Sequence, residues 1–321
     1  MTVPTNTFQT YTQTNIREDL INLIFNVDPF KTPLLTMGKK TEAKQGYHEW
    51  DVDSLDSQNL ANAQVEGDDP SALTITPTVR HGNYVQTSNK AIQISGKSQA
   101  VIAAGGSNKM GYQLLKKSRE LKRDIEGILT NNQAKAAGTS STAALTAGLP
   151  SWLGTNTQFQ IGGTPAGANP ATLDGASTRT YNSVKAAVTE AEVKTVLQSI
   201  YKNSGDSPEY CLLSPANKQN VSAFTGPGTR FTQVEDKTLK TAVDVYQSDF
   251  GEVKMVPDIF LATSGDMYFI NPDYVRVAFL RPFQTLPLAK TGDSDKKMLL
   301  VDYALELGNE KAHGAIYDTT G

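Results

Sequence analysis

The longest stretch with a single apolar period runs from Ser107 to about Ala137, and it sets the scale for the rest of the chain. Met110, Leu114, Leu115, Leu121, Ile125, Ile128 and Leu129 recur mostly at spacings of three and four. Lys116, Arg119, Lys122, Arg123 and Glu126 fall between or opposite them. This spacing predicts an amphipathic helix capped by Ser107 or Asn108 and ended by Gly138, a rod on the order of 45 Å at 1.5 Å per residue. Such a rod outspans an ordinary domain core. Gly127 inside it costs roughly 1 kcal/mol against alanine, which marks either a close approach of another segment or a point of bending.

A chain of 321 residues holds two domains or one elaborated one. Its net charge of −3 supplies no strong field for nucleic acid, membrane surface or acidic substrate, so any such binding must be local. The one cysteine, Cys211, excludes an internal disulfide framework and fits a reducing compartment, by default the cytoplasm. Met1 to Thr14 lacks the charged flank and apolar run of a signal peptide, and no stretch approaches membrane-spanning length, so the protein is expected to be soluble when made. Hydrophobic content of 38% and a mean hydropathy of −0.37 are modest for this size. Extended segments that bury surface only against other subunits account for this, as do disordered linkers.

Taken in order, Met1 to Gln13 reads as a polar arm. Ile16, Leu20, Ile21, Leu23, Ile24 and Phe25 then make a short helical pattern that stops at Asp28-Pro29. Phe30, Pro33, Leu34 and Leu35 follow as a sticky arm or a turn docked on the core. From Glu42 to Ser95 the period changes to two, as in half-buried strands: His48, Trp50 and Val52 alternate with Tyr47, Glu49, Asp51 and Asp53, and Leu73 with Ile75 and Ile92 with Ile94 keep the same spacing. We read these as the limbs of one long hairpin whose distal part, Asn59 to Ala72, holds the turn formers Gly67, Asp68, Asp69 and Pro70. A two-stranded ribbon is marginal in water, so this one must lie on something else.

Charge is segregated along this half of the chain. The outgoing limb and tip carry Glu42, Glu49, Asp51, Asp53, Asp56, Glu66, Asp68 and Asp69, whereas Arg80, Lys90 and Lys97 lie on or after the return limb. The long helix has a surplus of bases in Lys109, Lys116, Lys117, Arg119, Lys122 and Arg123. An acidic ribbon and a basic rod invite pairing, within a subunit or between copies.

Gly138 to Thr180 reads as a linker with one anchored turn at Leu149, Trp152 and Leu153. Thr189-Glu-Ala-Glu192 is a capping box that opens a helix through Val193, Val196, Leu197, Ile200 and Tyr201 and closes near Gly205. A strand from Tyr210 to Leu213 and a second helix capped by Ser214-Pro215 complete a small α/β unit. The last third is mostly strand: Met267 to Ile270, Tyr274 to Leu280, Met298 to Leu307, and Ala315 to Tyr317.

Enzyme signatures fail in turn. Gly162-Gly163-Thr-Pro-Ala-Gly167 neither follows a strand nor opens a helix, so it reads as loop and not as a nucleotide cradle. His48, His81 and His313 share no metal spacing. Asp51, Asp53 and Asp56 resemble the start of a calcium loop but lack its glycine and closing glutamate. Cys211 lies in an apolar strand and reads as a buried structural thiol. No catalytic, cofactor-binding or metal residues are assigned.

The order of parts nevertheless resembles the layout of tailed-bacteriophage major capsid proteins. Val65-Glu66-Gly67-Asp68-Asp69, Arg80 with Gly82-Asn83-Tyr84, Glu120-Leu121-Lys122-Arg123-Asp124, Asn132-Gln133-Ala134 and Gly148-Leu149-Pro150-Ser151-Trp152-Leu153 resemble major head proteins of a group of short-tailed phages. The resemblance implies an α+β fold with an N-terminal arm (1–41), an extended loop (42–96), a peripheral domain with a spine helix (97–147), an axial domain (148–265) and strands returning to the peripheral domain (266–321). It implies no catalysis, but self-assembly of pentamers and hexamers into an icosahedral head around double-stranded DNA, located in the virion and synthesised in the host cytoplasm. Scaffold, portal and decoration or cement proteins would be separate chains, packaged DNA would be met nonspecifically, and no membrane is involved. The subunit contact we expect, from the charge segregation, joins Glu66, Asp68 and Asp69 to bases such as Lys116, Arg119, Lys122 or Arg123 on a neighbour, with Arg80 also counted among the interface residues. The rivals are a tail-tube or decoration protein and, further off, a cytosolic α+β enzyme.

Overall fold

The computed structural model describes residues 31–56, 58–67, 69, 75–100, 109–160, 162–224, 245–290 and 292–320. In chain order, helix α1 (Pro33–Met37) leads to strands β1 (Lys39–Glu42) and β2 (Tyr47–Val52). After a long loop come β3 (Val79–Tyr84), β4 (Gln86–Ser95), α2 (Gly96–Ala100) and α3 (Lys109–Thr130). The middle of the chain holds β5 (Thr157–Phe159), α4 (Glu190–Ser204), β6 (Tyr210–Leu213), α5 (Pro215–Ser222), β7 (Val245–Ser248) and β8 (Gly251–Pro257). The last part holds β9 (Met267–Ile270), β10 (Val275–Pro287), β11 (Ser294–Leu307) and β12 (Gly314–Tyr317). These form a four-stranded sheet in the order β1-β10-β11-β4, a six-stranded sheet in the order β5-β12-β9-β6-β8-β7, and the β2–β3 hairpin.

Strand β11 shows how period two builds the core. Leu299, Val301, Tyr303, Leu305 and Leu307 point to the main core, where they meet Leu121, Ile125 and Leu129 of α3, Leu34 and Leu35 of α1, and Leu149 and Trp152. The opposite face carries Ala304, packed with Ala43, Val85 and Ala278, and two buried carboxylates held by arginines: Asp302 by Arg281, and Glu306 by Arg276 at 2.8 Å. In β9 all four residues are buried. Tyr268 and Ile270 belong to the main core, while Met267 and Phe269 belong to a second core beneath Val193, Val196, Leu197 and Ile200 of α4. An uninterrupted apolar run suits a strand covered on both faces, and here it is the wall between two cores.

The caps of α4 and α5 form as their sequences dictate. The Thr189 hydroxyl accepts from the Glu192 amide and the Glu192 carboxylate accepts from the Thr189 amide, while Gly205 closes the helix in the left-handed region at φ 72°. The Ser214 hydroxyl accepts from the Asn217 amide at 3.2 Å.

Four expectations need correction. First, α3 ends at Thr130 and not near Ala137, because the next residues find better partners than their own helix: the Asn132 amide pairs with both backbone groups of Arg179 (2.9 and 3.0 Å), and Gln133 donates to Gln86 and to the Thr146 carbonyl. Its expected caps, Ser107 and Asn108, lie outside the described residues, and Gly127 meets Phe260 at van der Waals distance.

Second, the 42–96 hairpin is shorter than its alternating pattern. Only Tyr47–Val52 and Val79–Tyr84 pair with each other; Val85 turns into the small core and sends β4 along β11, from Gln86 opposite Tyr303 to Ser95 opposite Ser294. Third, the 1–41 arm is docked at its end: Leu34 and Leu35 are buried, and β1 pairs in parallel with β10. The helical pattern from Ile16 to Phe25 lies outside the described residues. Fourth, 266–321 divides. β10 and β11 join the sheet beneath α3, but β9 and β12 run inside the six-stranded sheet, β12 between β5 and β9.

Candidate assembly interface

The β2–β3 hairpin is fixed at its root by side chains that reach the body on several sides. The Trp50 indole donates to the Leu307 carbonyl at 2.9 Å and packs on Trp152, with ring centroids 5.4 Å apart. Asn83, fully buried, donates to the Leu305 carbonyl and accepts from the Ala147 amide, both at 2.8 Å. His48 meets Glu306 at 3.0 Å. Gly82 is required by a close approach, since a Cβ there would fall 2.7 Å from the Tyr47 ring.

Beyond Val52 none of this continues. From Asp53 to Thr78 the described residues form no strand, and Leu55, Leu60, Val65 and Ile75 are 99%, 89%, 76% and 88% exposed. Four large apolar side chains left in water on one irregular segment are what a contact surface looks like before its partner arrives. Glu66 and Asp69 are exposed beside them, while Asp68, Pro70 and Leu73 lie outside the described residues.

On α3 the charges are sorted by sign. Glu120 and Asp124 turn to the sheet: Lys90 of β4 lies 2.6 Å from Asp124 and 3.8 Å from Glu120, which also accepts from Lys117 at 2.7 Å. Lys116, Arg119 and Lys122 are exposed with Tyr112 and Leu115; Lys122 lies over the Phe283 ring, and Arg123 is half-buried and engaged. Among the described residues, Glu66, Lys116 and Arg119 make no ion pair. Arg80 does not reach the tip. It lies 3.8 Å from Glu49 and 4.0 Å from Asp51 across its own hairpin, pairs that are exposed and weak.

Sequence reasoning missed the buried polar residues that hold the frame behind this surface. Glu126, placed by its period among the polar residues of α3, is fully buried and accepts the Leu34 and Leu35 amides at 2.6 and 2.8 Å. It replaces a cap that Thr32 does not supply to α1. Burial pushes its pKa up to about 8 against the pull of the two amide bonds, with nearby Asp258 adding to the rise. Burial likewise raises Asp258 to about 6.

Arg179 is buried between Asp266, which it grips with one nitrogen at 2.7 and 2.8 Å, and Asp318 at 3.0 Å. Burial opposes its charge, but Asp266, Tyr268 and Asp318 outweigh burial and keep the guanidinium ionised. The cluster ties the 168–182 loop to both the β9 entry and the C-terminal residues. The signal was faint: a lone arginine in a Ser/Thr/Gly-rich stretch. Cys211 is fully buried and its thiol is pushed up by burial; His313, accepting the Asn271 amide at 3.2 Å, is lowered by burial to about 3. Among the described residues no group of three or more His, Cys, Asp or Glu is placed to hold a metal ion, and no helix is long and apolar enough to cross a membrane.

The same architecture recurs in solved shells. The capsid asymmetric unit of cyanophage A-1(L) superposes with a TM-score of 0.66 at 15% identity, covering 98% of this chain and 100% of that one. A structure from Mycobacterium phage Adephagia gives 0.61 at 8% identity over 97% of both chains. The holo-SrpI encapsulin complex from Synechococcus elongatus PCC 7942 gives 0.55 at 10% identity over 95% of this chain and 92% of that one. The fold is that of tailed-phage major capsid proteins. Sequence narrows this class: the major capsid protein of Escherichia phage Phieco32 is 24% identical over 344 aligned residues, covering 98% of this chain and 97% of that protein. The SU10 major capsid protein family matches residues 3–320, and the chain belongs to that family. It is a structural capsid protein, and its place is the virion.

Proposed function

We propose that copies of this chain close into an icosahedral head of pentamers and hexamers around double-stranded DNA without catalysing any reaction. The uncovered hairpin tip carries this reading: Leu55, Leu60, Val65 and Ile75 gain burial only when another subunit supplies a surface. In this reading 42–96 is the loop that reaches over the adjacent subunit, 97–147 the peripheral domain, and 148–265 the axial domain, whose end gathers around fivefold and sixfold axes. Each contact is heterologous, and weak pairwise surfaces become a stable shell through closure and multiplicity.

The contact we assign sets Glu66, Asp68 and Asp69 of one copy, with their apolar neighbours, on the Lys116, Arg119, Lys122 and Arg123 face of the next. Glu66 on the tip and Lys116 and Arg119 on α3, exposed and without an ion pair among the described residues, support it, and Arg80 belongs to the hairpin's own charge balance. Basic residues on the inner face hold packaged DNA through phosphates, without base reading. The chain is made in the host cytoplasm, and scaffold, portal and any cement proteins are separate partners.

Gel filtration followed by negative-stain microscopy of the chain, alone and with a scaffold, tests the proposal. Closed shells, or rings of five and six, are expected. Tubes, or a small globule that never assembles even with a scaffold, would contradict the closed-shell proposal.

A further inference from the structure

The hairpin reaches outward as a lever, so whatever fixes its root fixes where its tip arrives. Lys135 is the residue on which the root converges. Its ammonium donates to the Gly82 carbonyl at 2.9 Å and the Tyr47 hydroxyl at 3.3 Å on the hairpin, and to the Asp174 carbonyl at 2.8 Å on the 168–182 loop. The same nitrogen sits 5.7 Å from the Tyr47 ring centroid and 5.8 Å from that of Trp152. Its own amide donates to the Gly175 carbonyl at 2.7 Å, so its backbone is pinned as well. A side chain only 13% exposed thus joins three segments that share no strand pairing.

His81 stands beside this node, opposite Trp50 in the hairpin register and edge-on to Trp152, with centroids 6.2 Å apart. Its Nδ1 is buried and, among the described residues, has no hydrogen-bond partner; the same holds for Nε1 of Trp152. Nothing at the site is set to receive a proton on His81, and a second positive charge there would face the Lys135 ammonium.

We propose that Lys135 is the positioning residue that sets the angle at which the β2–β3 hairpin leaves the body, and that protonation of His81 loosens this setting. Burial, the largest influence, and Lys135 hold the His81 pKa below 6.5 against the pull of Asp174. The clasped root therefore keeps His81 neutral, and acid favours the conformation in which the ring reaches water. The other titratable or charged groups around the root are Asp174 on the loop, Tyr47, Glu49 and Asp51 on β2, Arg80 on β3, and Glu306 with Arg276 facing His48. His48, on the same hairpin and 3.0 Å from Glu306, is a second histidine at the root, so the His81 variant is the control that assigns the loosening to His81.

Hydrogen exchange on the unassembled chain tests this without requiring a shell, so its failure and the failure of the assembly reading are separable. Lys135→Met keeps the stem over the rings and removes the donors. It should raise exchange at Tyr47–Val52 and Val79–Tyr84 about tenfold while β9 and β11 stay protected, and Lys135→Arg should recover part of the loss. In the wild type, root protection corrected for intrinsic rates should fall severalfold, with a ceiling of about tenfold, between pH 7.5 and 5.5, and His81→Phe should abolish that fall. Wild-type protection in Lys135→Met, or the same pH trend with and without His81, overturns the proposal. Should Lys135→Met lose β9 and β11 protection as well, the wild-type and His81→Phe profiles decide alone.

Discussion

The hairpin's root and its tip belong to one ribbon yet obey opposite rules. At the root, within a few residues, Trp50, Asn83 and His48 each have a fixed partner in the body, and the Gly82 carbonyl accepts from Lys135. At the tip, Leu60 and Val65 touch almost nothing and no strand continues. The root has the signature of a folded core, with packed aromatic rings and buried polar groups that are hydrogen-bonded apart from His81 Nδ1 and Trp152 Nε1. The tip has that of half an interface. The contrast separates two roles on one segment: the root serves the stability of the single chain, and the tip, in the proposed assembly, serves a surface that another copy supplies.

The comparison can be broken most readily at Trp50. Trp50→Ala removes a ring from Trp152 and strands the Leu307 carbonyl, and should cost roughly 3 kcal/mol in denaturant unfolding of the unassembled chain. Asn83→Ala leaves the buried Ala147 amide and Leu305 carbonyl without their partner, for about 2–3 kcal/mol by the same measurement.

A pH series sharpens the contrast with a group outside the ribbon. Glu126 titrates near 8 in the folded chain and near 4.5 when unfolded, so the folded state holds the extra proton between those values. Stability is therefore full below about 4.5 and falls as pH rises through 8, by on the order of 2 kcal/mol after relaxation. Glu126→Gln should flatten that slope.

At the tip the same measurements should find almost nothing. Leu60→Ser with Val65→Ser should change monomer unfolding by less than about 0.5 kcal/mol. Reversal of Asp68 and Asp69 to lysine should leave it equally intact, yet both variants should cut particle yield in electron micrographs. A large loss of monomer stability from either would make the tip part of the fold and erase the distinction.

Local signals carried far in the sequence and non-local ones did not. The Thr189–Glu192 box, Gly205 and the Ser214-Pro215 cap sit where they were read, because each depends on residues within one turn. The apolar run of β9 was read as strand for the same reason. Alternation at Gln86–Ser95 likewise announces a strand but not its partner, and β4 chose β11 over the ribbon because Val85 and Ile92 find the core there. Glu126 shows the limit most sharply: its place among the charged residues of α3 reads as solvent-facing, and only α1, 91 and 92 residues away in sequence, reveals why a carboxylate is buried there. Lys135 was invisible for a related reason, since its partners lie 39 to 88 residues distant. The exposed bases of α3 and the acids of the tip are legible as types, but the contact proposed between them involves a second copy.

Hydrogen exchange at residues 53–67 and 75–78, compared between the isolated chain and purified shells, addresses that meeting most directly. Burial by a neighbouring copy predicts fast exchange in the isolated chain and strong protection of these amides in the shell, with root amides nearly unchanged. Tip amides that exchange as fast in shells as in the free chain would contradict it, leaving the ribbon's end without the partner its exposed leucines demand.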